Sequence, residues 1–368
     1  MFFRIVPDLQ METRLSNGMI KAIADISKAL ESRGTKLVYV PVPTKGLVHS
    51  DQIGTHATRL GFDVRVARAL YADTLSKLRS LDVTTIDAVE GLSGVAWPEE
   101  TFFSSDPRMT NTGLRVLSIA IANEVGGGVT GGSAFSTSID GELVLESHDR
   151  FIRQLSCQAT LPEAKTPRYV TSKVSVDYQP REVIVVGSRI TNGDERNFAG
   201  FLSQALGREV TSAQPAESAL SAMAAYLTSD SFAQTAPDVL IWAVPIWENP
   251  ATNGDQPLRE LAAASMGRCA NDGLTSSDGK VFDLDWSSLT PEMSLRIEAE
   301  NAISAATFDF TDSQGTSRIR TVVRPDIELA TKRIFLPLTS LGSRDPEQVR
   351  ISVNNGAQTQ VRLTVCSG

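Results

Sequence analysis

The stretch Val185-Val186-Gly187-Ser188-Arg189-Ile190-Thr191-Asn192 decides how this chain is read. It closes an apolar run, "EVIVV" at 182–186, of the kind that forms a strand buried on both faces. A glycine and a serine end that run, and a helical pattern, "NFAGFLSQAL" at 197–206, soon follows. In several hydrolase folds such a strand–turn–helix junction presents a reactive hydroxyl. Here the residue after the serine is Arg189, and a guanidinium is neither nucleophile nor base at neutral pH.

Working outward, two more short runs read as buried parallel strands, "KLVYVPVP" at 36–43 and "DVLIWAVP" at 238–245. Helical stripes lie between and around them. One starts at a Ser16 cap, carries Ile20, Ile23, Ile26 and Leu30, and stops at Gly34. Others carry Ala67, Leu70, Tyr71, Leu75 and Leu78; then Leu114, Leu117 and Ile121; then Phe198, Phe201, Leu202 and Ala205. The glycine-rich "GGGVTGGS" at 126–133 reads as a loop. Strands separated by helices imply a parallel sheet between helical layers. From about Val281 the texture changes to seven or so short alternating segments, from "KVFDLDW" to "QVRLTVC", which imply a small antiparallel sandwich.

Bulk properties exclude several function classes. The chain has 368 residues and a formal net charge of −8, with no lysine- or arginine-rich run, so nucleic acid is not an expected partner. No apolar run approaches the length of a membrane span, and "MFFRIVPDLQ" lacks the parts of a signal peptide. Cys157, Cys269 and Cys366 form no CxxC pair, and His49, His56 and His148 complete no zinc pattern, so no metal or other cofactor is expected. Cys269 and Cys366 flank the β-rich block; a bridge between them would clasp it shut and imply an oxidising compartment. Three free buried thiols are the plainer alternative.

Taken together, four stretches resemble the alginate O-acetyltransferases of the AlgX/AlgJ type, whose catalytic domain is a permuted SGNH-hydrolase-like domain. They are "ALESRGTKLVYVPVPTKGLVHSDQI", "FFSSDPRMTNTG", "VIVVGSRITNGDERNFAGFLSQAL" and "PDVLIWAVPIW", in family order and covering roughly residues 1–250. The β-rich block is similar to the carbohydrate-binding module that follows the catalytic domain in AlgX-type members. The resemblance therefore implies an SGNH-hydrolase-like three-layer α/β/α parallel sheet over residues 1–268 and an all-β sandwich over 269–368. It also implies a Cys269–Cys366 disulfide, and a partner for Cys157 upstream of Met1. An export signal upstream and a periplasmic location follow from the same likeness.

Carried over position by position, the family's Asp-x-His loop falls on Asp106, Pro107 and Arg108, with Met109, Thr110 and Gly113 behind them. Its nucleophile turn falls on Gly187, Ser188 and Arg189, and the Asn197-Phe198 spacing opposes a slip that would rescue Ser188. The aspartate remains, while the base and the nucleophile have both become arginine. Three readings stay open. The arginines fill space or pair with Asp106; or Arg108 and Arg189 converge to hold carboxylates, such as those of a polyuronate; or Ser188 is an alternative nucleophile with His148 as base. Lys45 matches a basic family position and, with Asn197, joins the arginines as a candidate substrate-binding residue. His49 is a weaker candidate near the first strand's mouth. Trp242 and Trp247 read as core and cleft wall. The function implied is a non-catalytic member of an exopolysaccharide acetylation system that binds an anionic glycan such as alginate. Its partners would be an active acetyltransferase paralogue and other polysaccharide-export proteins. The alternative is an active O-acetyltransferase or acetylesterase using Ser188.

Overall fold

The computed structural model describes residues 3–4, 8–9, 15–59, 61–95, 99–126, 134–146, 154, 160–174, 182–248, 250, 256–269, 273–274, 276, 280–324, 330–341, 346–354 and 360–367. Cys157 and His148 lie outside them. The chain divides into two compact units. One comprises residues 1–16, 37–219 and 237–249, and the other 17–36, 220–236 and 250–368.

The first unit is built on a five-stranded sheet of β1 (Lys36–Val42), β2 (Thr84–Thr85), β5 (Val183–Gly187), β6 (Val210–Ser212) and β7 (Val239–Pro245), in the order β2-β1-β7-β5-β6. β1 pairs with β2, and β5 with both β6 and β7, in parallel. All five residues of β5 and all seven of β7 are buried, which is why those segments read as unbroken apolar runs. Val38, Val40, Val185, Ile241 and Ala243 of the strands pack with Leu114, Leu117, Phe198, Phe201 and Leu202 of the helices in one core. Trp242 is part of that interior: its indole N–H donates to Ala219 O at 3.0 Å and its ring meets Tyr39 edge-on.

A two-stranded ribbon is among the elements with no counterpart in the sequence reading. β3 (Phe135–Leu145) and β4 (Ala164–Lys173) form an antiparallel ribbon, with Gly141 at φ +94° where the register shifts between Ile139 and Glu142. Most of β3 is solvent-exposed on both faces, so it never shows the apolar alternation by which a half-buried strand is recognised.

The second unit contains helix α1 (Asn17–Glu31), the segment 220–236, helix α2 (Gln256–Met266) and two four-stranded antiparallel sheets. The sheets join β8 (Arg268–Cys269), β9 (Val281–Asp283), β10 (Ser294–Ile303), β11 (Ala305–Asp312), β12 (Ser317–Val323), β13 (Thr331–Pro337), β14 (Pro346–Val353) and β15 (Val361–Ser367) in the orders β13-β10-β15-β8 and β12-β11-β14-β9. Leu295, Ile297, Phe308, Phe310, Ile334, Leu336, Ile351 and Leu363 fill the space between them. Cys269 and Cys366 face each other in register on β8 and β15 and are joined by a disulfide. Buried Glu260 of α2 pairs with Arg324 at 2.6 Å, so the helix is tied to the sandwich by charge as well as by packing.

Candidate functional site

The mouth of the parallel sheet is set by three local devices. The first is the turn after β5. Gly187 fits closely there, since a Cβ at that position would lie 3.1 Å from Ala243 O and 3.3 Å from Asn192 Cβ, tighter than ordinary contact. Ser188 then leaves the strand in an extended conformation, and its carbonyl accepts from Thr191 N–H and Asn192 N–H, opening the short helix Arg189–Asn192. Asn192 secures the turn from inside by donating to Ser212 Oγ at 2.9 Å. The expected strand–glycine–serine–helix junction is therefore present.

The second device is the loop carrying Asp106. Phe102 bridges Met109, Phe103 N–H donates to Arg108 O, and Thr110 N–H donates to Thr101 O, so the loop doubles back on itself between Thr101 and Thr110. It is held tight by Gly113, where a Cβ would lie 2.2 Å from Thr101 O. The third is the four-residue helix Lys45–Val48 after β1, capped by Thr44, whose hydroxyl accepts from Leu47 N–H at 3.2 Å.

Arg108 is committed to Asp106. Its Nε and Nη2 reach Oδ1 and Oδ2 at 2.7 Å each, its backbone N–H adds a third bond to Oδ1, and Nη2 also donates to Glu146 O. Burial alone would raise the Asp106 carboxyl. The hydrogen bonds and charge of Arg108 outweigh it and hold that carboxyl below the usual carboxylate range. Arg189 has a different partner: its side chain is half exposed and pairs with Glu217 at 3.1 Å. The two arginines are thus each engaged by a carboxylate of their own.

Ser188 is completely buried, with its hydroxyl 3.4 Å from Thr191 Oγ1 and hydrogen-bonded to Glu248. The oxygen that an alternative nucleophile would use faces the interior. Lys45 is 1% exposed and donates to Phe103 O and Asp106 O, with Asp8 Oδ2 at 3.7 Å. It pins the Asp106 loop from below. Asn197 adopts the left-handed conformation at φ 54° that Asn tolerates better than most residues, and donates to Thr171 Oγ1 on β4. His49 meets Thr101 Oγ1 at 3.0 Å and Phe102 edge-on; burial lowers its pKa and favours the neutral ring.

Two residues of this region escaped the sequence reading. Arg196 is buried, donates to Met109 O, lies 5.3 Å over the Phe103 ring, and has its pKa pushed down to about 10 by burial and by Arg108. It joins the β5 turn to the Asp106 loop across 87 residues of sequence, and only its position beside Asn197 could have drawn attention to it. Glu248, beyond β7, accepts from Ala219 N–H at 2.8 Å.

Burial pushes the Glu248 carboxyl up to about 7 against the hydrogen bonds from Ala219 and Ser188. A carboxyl raised in the folded state binds a proton there that the unfolded chain has released. Stability therefore falls as pH rises from the ordinary carboxylate range to about 7, and the cost is fully present above that. Glu248→Gln keeps an acceptor for Ala219 and removes the ionisation. It is expected to raise the unfolding free energy at pH 8 by roughly 2–3 kcal/mol and to change it little at pH 4. Urea unfolding of both proteins at the two pH values measures this, and an equal gap at both would refute it.

A parallel sheet whose β5 ends in a glycine–serine turn, facing a loop with a paired aspartate, defines an SGNH-hydrolase-like α/β domain. The family model described as "SGNH hydrolase-like domain, acetyltransferase AlgX" matches residues 3–246, and the chain belongs to that family. Alginate biosynthesis protein AlgX of Pseudomonas putida is 24% identical over 262 residues, covering 65% of this chain and 53% of that protein. The AlgX of Pseudomonas aeruginosa is 26% identical over 255 residues, with the same shares covered. The match thus spans about half the length of those relatives. Among solved structures, Pseudomonas aeruginosa AlgX superposes with a TM-score of 0.79 at 19% identity, over 99% of this chain and 92% of that one. The O-acetyltransferase domain of Pseudomonas putida AlgJ gives 0.55 at 22% identity, over 67% and 89%. The expected fold, an SGNH-like α/β part followed by an all-β sandwich, is the fold observed.

Proposed function

We propose that this protein is a non-catalytic member of an alginate-type exopolysaccharide acetylation system, and that it holds an anionic polysaccharide. The observation that carries this reading is the replacement of chemistry by charge on an otherwise intact scaffold. At the family's base position Arg108 is closed on Asp106, and at its nucleophile position Arg189 stands half exposed. Neither group can accept the proton that acyl transfer requires. Ser188 keeps a hydroxyl, but that hydroxyl is buried against Thr191 and Glu248. An active paralogue and the polysaccharide-export machinery are the proposed partners. The disulfide supports placing the protein in an oxidising compartment such as the periplasm.

Two measurements test this. The purified protein at high concentration is expected to give no turnover of an acetyl-ester surrogate; turnover abolished by Ser188→Ala would establish the enzymatic reading instead. Titration with a mannuronate oligomer is expected to show binding that Arg189→Ala weakens by about three- to ten-fold, the range of one exposed to half-buried charge-assisted contact. Unchanged affinity in that variant would remove Arg189 from the site.

A further inference from the structure

The connection that follows β6, residues 213–219, is fastened across the turn after β5 and brings an exposed carboxylate to the sheet mouth. Ala213 N–H donates to Val185 O at 2.9 Å, Ala216 O accepts from Arg189 N–H at 2.8 Å, and Ala216 bridges Ser188 in parallel. Three residues on, Ala219 N–H donates to Glu248 at 2.8 Å, and Ala219 O accepts from the Trp242 indole at 3.0 Å. Ala216 and Ala219 are both fully buried. The backbone is therefore pinned on either side of Glu217, and this side chain makes and breaks contacts by rotation about its own bonds.

Glu217 spends that freedom on Arg189, at 3.1 Å. The pair differs from the other charged contacts of the mouth. Arg108 closes on a buried carboxylate, and Lys45 is itself buried. In the Arg189–Glu217 pair the guanidinium is 50% exposed and the carboxylate 78% exposed, so a dissolved anion can reach the guanidinium directly. Exposed pairs are weak, and this one opens and closes in water. What Glu217 presents to Arg189 is the same group that a sugar acid would present, a carboxylate.

We propose that Glu217 is a built-in competitor for the anion site at Arg189, an internal stand-in that an incoming carboxylate has to displace. The proposal rests on the function proposed above and adds the residue that sets its affinity. A ligand meets Arg189 only in the fraction of molecules whose pair is open, and its apparent affinity falls by that fraction. The same factor applies to every carboxylate. A lone small acid, weak from the start, then fails to hold the site, whereas a polymer with a carboxylate on each sugar has further contacts to add.

The test uses the full chain. Phenylglyoxal modification of Arg189, read by peptide mass spectrometry, reports on the pair with no ligand present. Glu217→Gln is expected to speed that modification about two- to six-fold, the range set by an exposed pair of ordinary strength. The thermal midpoint should stay at the wild-type value, because the side chain is exposed. The same variant is expected to bind a mannuronate oligomer about two- to six-fold more tightly, and Arg189→Ala to cancel that gain in the double variant. Oligomer affinity unmoved by Glu217→Gln would overturn the proposal whatever the labelling shows; if Arg189→Ala still weakens binding, the anion site stands without its competitor. Equal tightening in the presence and absence of Arg189 would also overturn it, since Glu217 would then act by simple repulsion. Binding indifferent to Arg189→Ala would remove Arg189 from the function proposed above, and this proposal would fall with it.

Discussion

Arg108→Ala is expected to destabilise the protein by about 3–5 kcal/mol, the range for removing one partner of a buried ion pair. The cost comes from what stays behind. Asp106 is almost fully buried, and three of the bonds to its carboxylate come from Arg108, two of them through the side chain. With the guanidinium gone, burial dominates and the Asp106 carboxyl moves above its ordinary range. The double variant Asp106→Asn with Arg108→Ala is expected to recover much of the loss, since no buried charge is then left alone. The pH dependence follows from the lowered carboxyl of the wild type. Its contribution is present above the ordinary carboxylate range and is lost as pH falls through the depressed folded value. Urea unfolding at pH 7 and pH 3 for the wild type and both variants checks all three statements. A single variant as stable as the wild type at pH 7 would show that the pair is not what holds this loop.

Removal of the Cys269–Cys366 bridge is the second large effect. The cysteines are 97 residues apart, and closing a loop of that size restricts the unfolded chain by an amount worth about 4.7 kcal/mol on the entropic model. Measured losses for native bridges run at about 2–5 kcal/mol. A Cys269→Ala, Cys366→Ala protein is therefore expected to lose that much stability in the second unit, with the first much less affected. Cys366 is fully buried, so a reductant should act slowly under native conditions and quickly once the sandwich opens. Thermal unfolding of the double variant beside the wild type measures the loss, and an unshifted transition would mean that the sandwich core alone sets the stability.

How legible the molecule was in its sequence depends on where the signal sits. The strands "KLVYVPVP", "EVIVV" and "DVLIWAVP" were readable because a strand buried on both faces must be apolar throughout, and β1, β5 and β7 lie within a residue of those runs. The sandwich was readable from alternation, since each of its strands turns one face to a common core. The ribbon of β3 and β4 was not, because strands wet on both faces carry no such pattern. The compact unit that holds the sandwich also takes in α1 and the segment 220–236 from distant parts of the chain, and α2 just ahead of Cys269.

The site divides in the same way. Sequence alone determined that an apolar strand runs into a glycine–serine turn followed by Arg189, and that Asp106 is followed two residues on by Arg108, because residue type and spacing are local properties. Only the tertiary structure decided what those arginines do. The partner of Arg108 is two residues away and that of Arg189 is Glu217, while Arg196 reaches Met109 from across the sheet mouth. Whether Ser188 faces solvent was likewise undetermined until β7 and Glu248 were placed beside it. Burial and charge pairing depend on segments far apart in the chain, and the distance between such segments is written only in the fold.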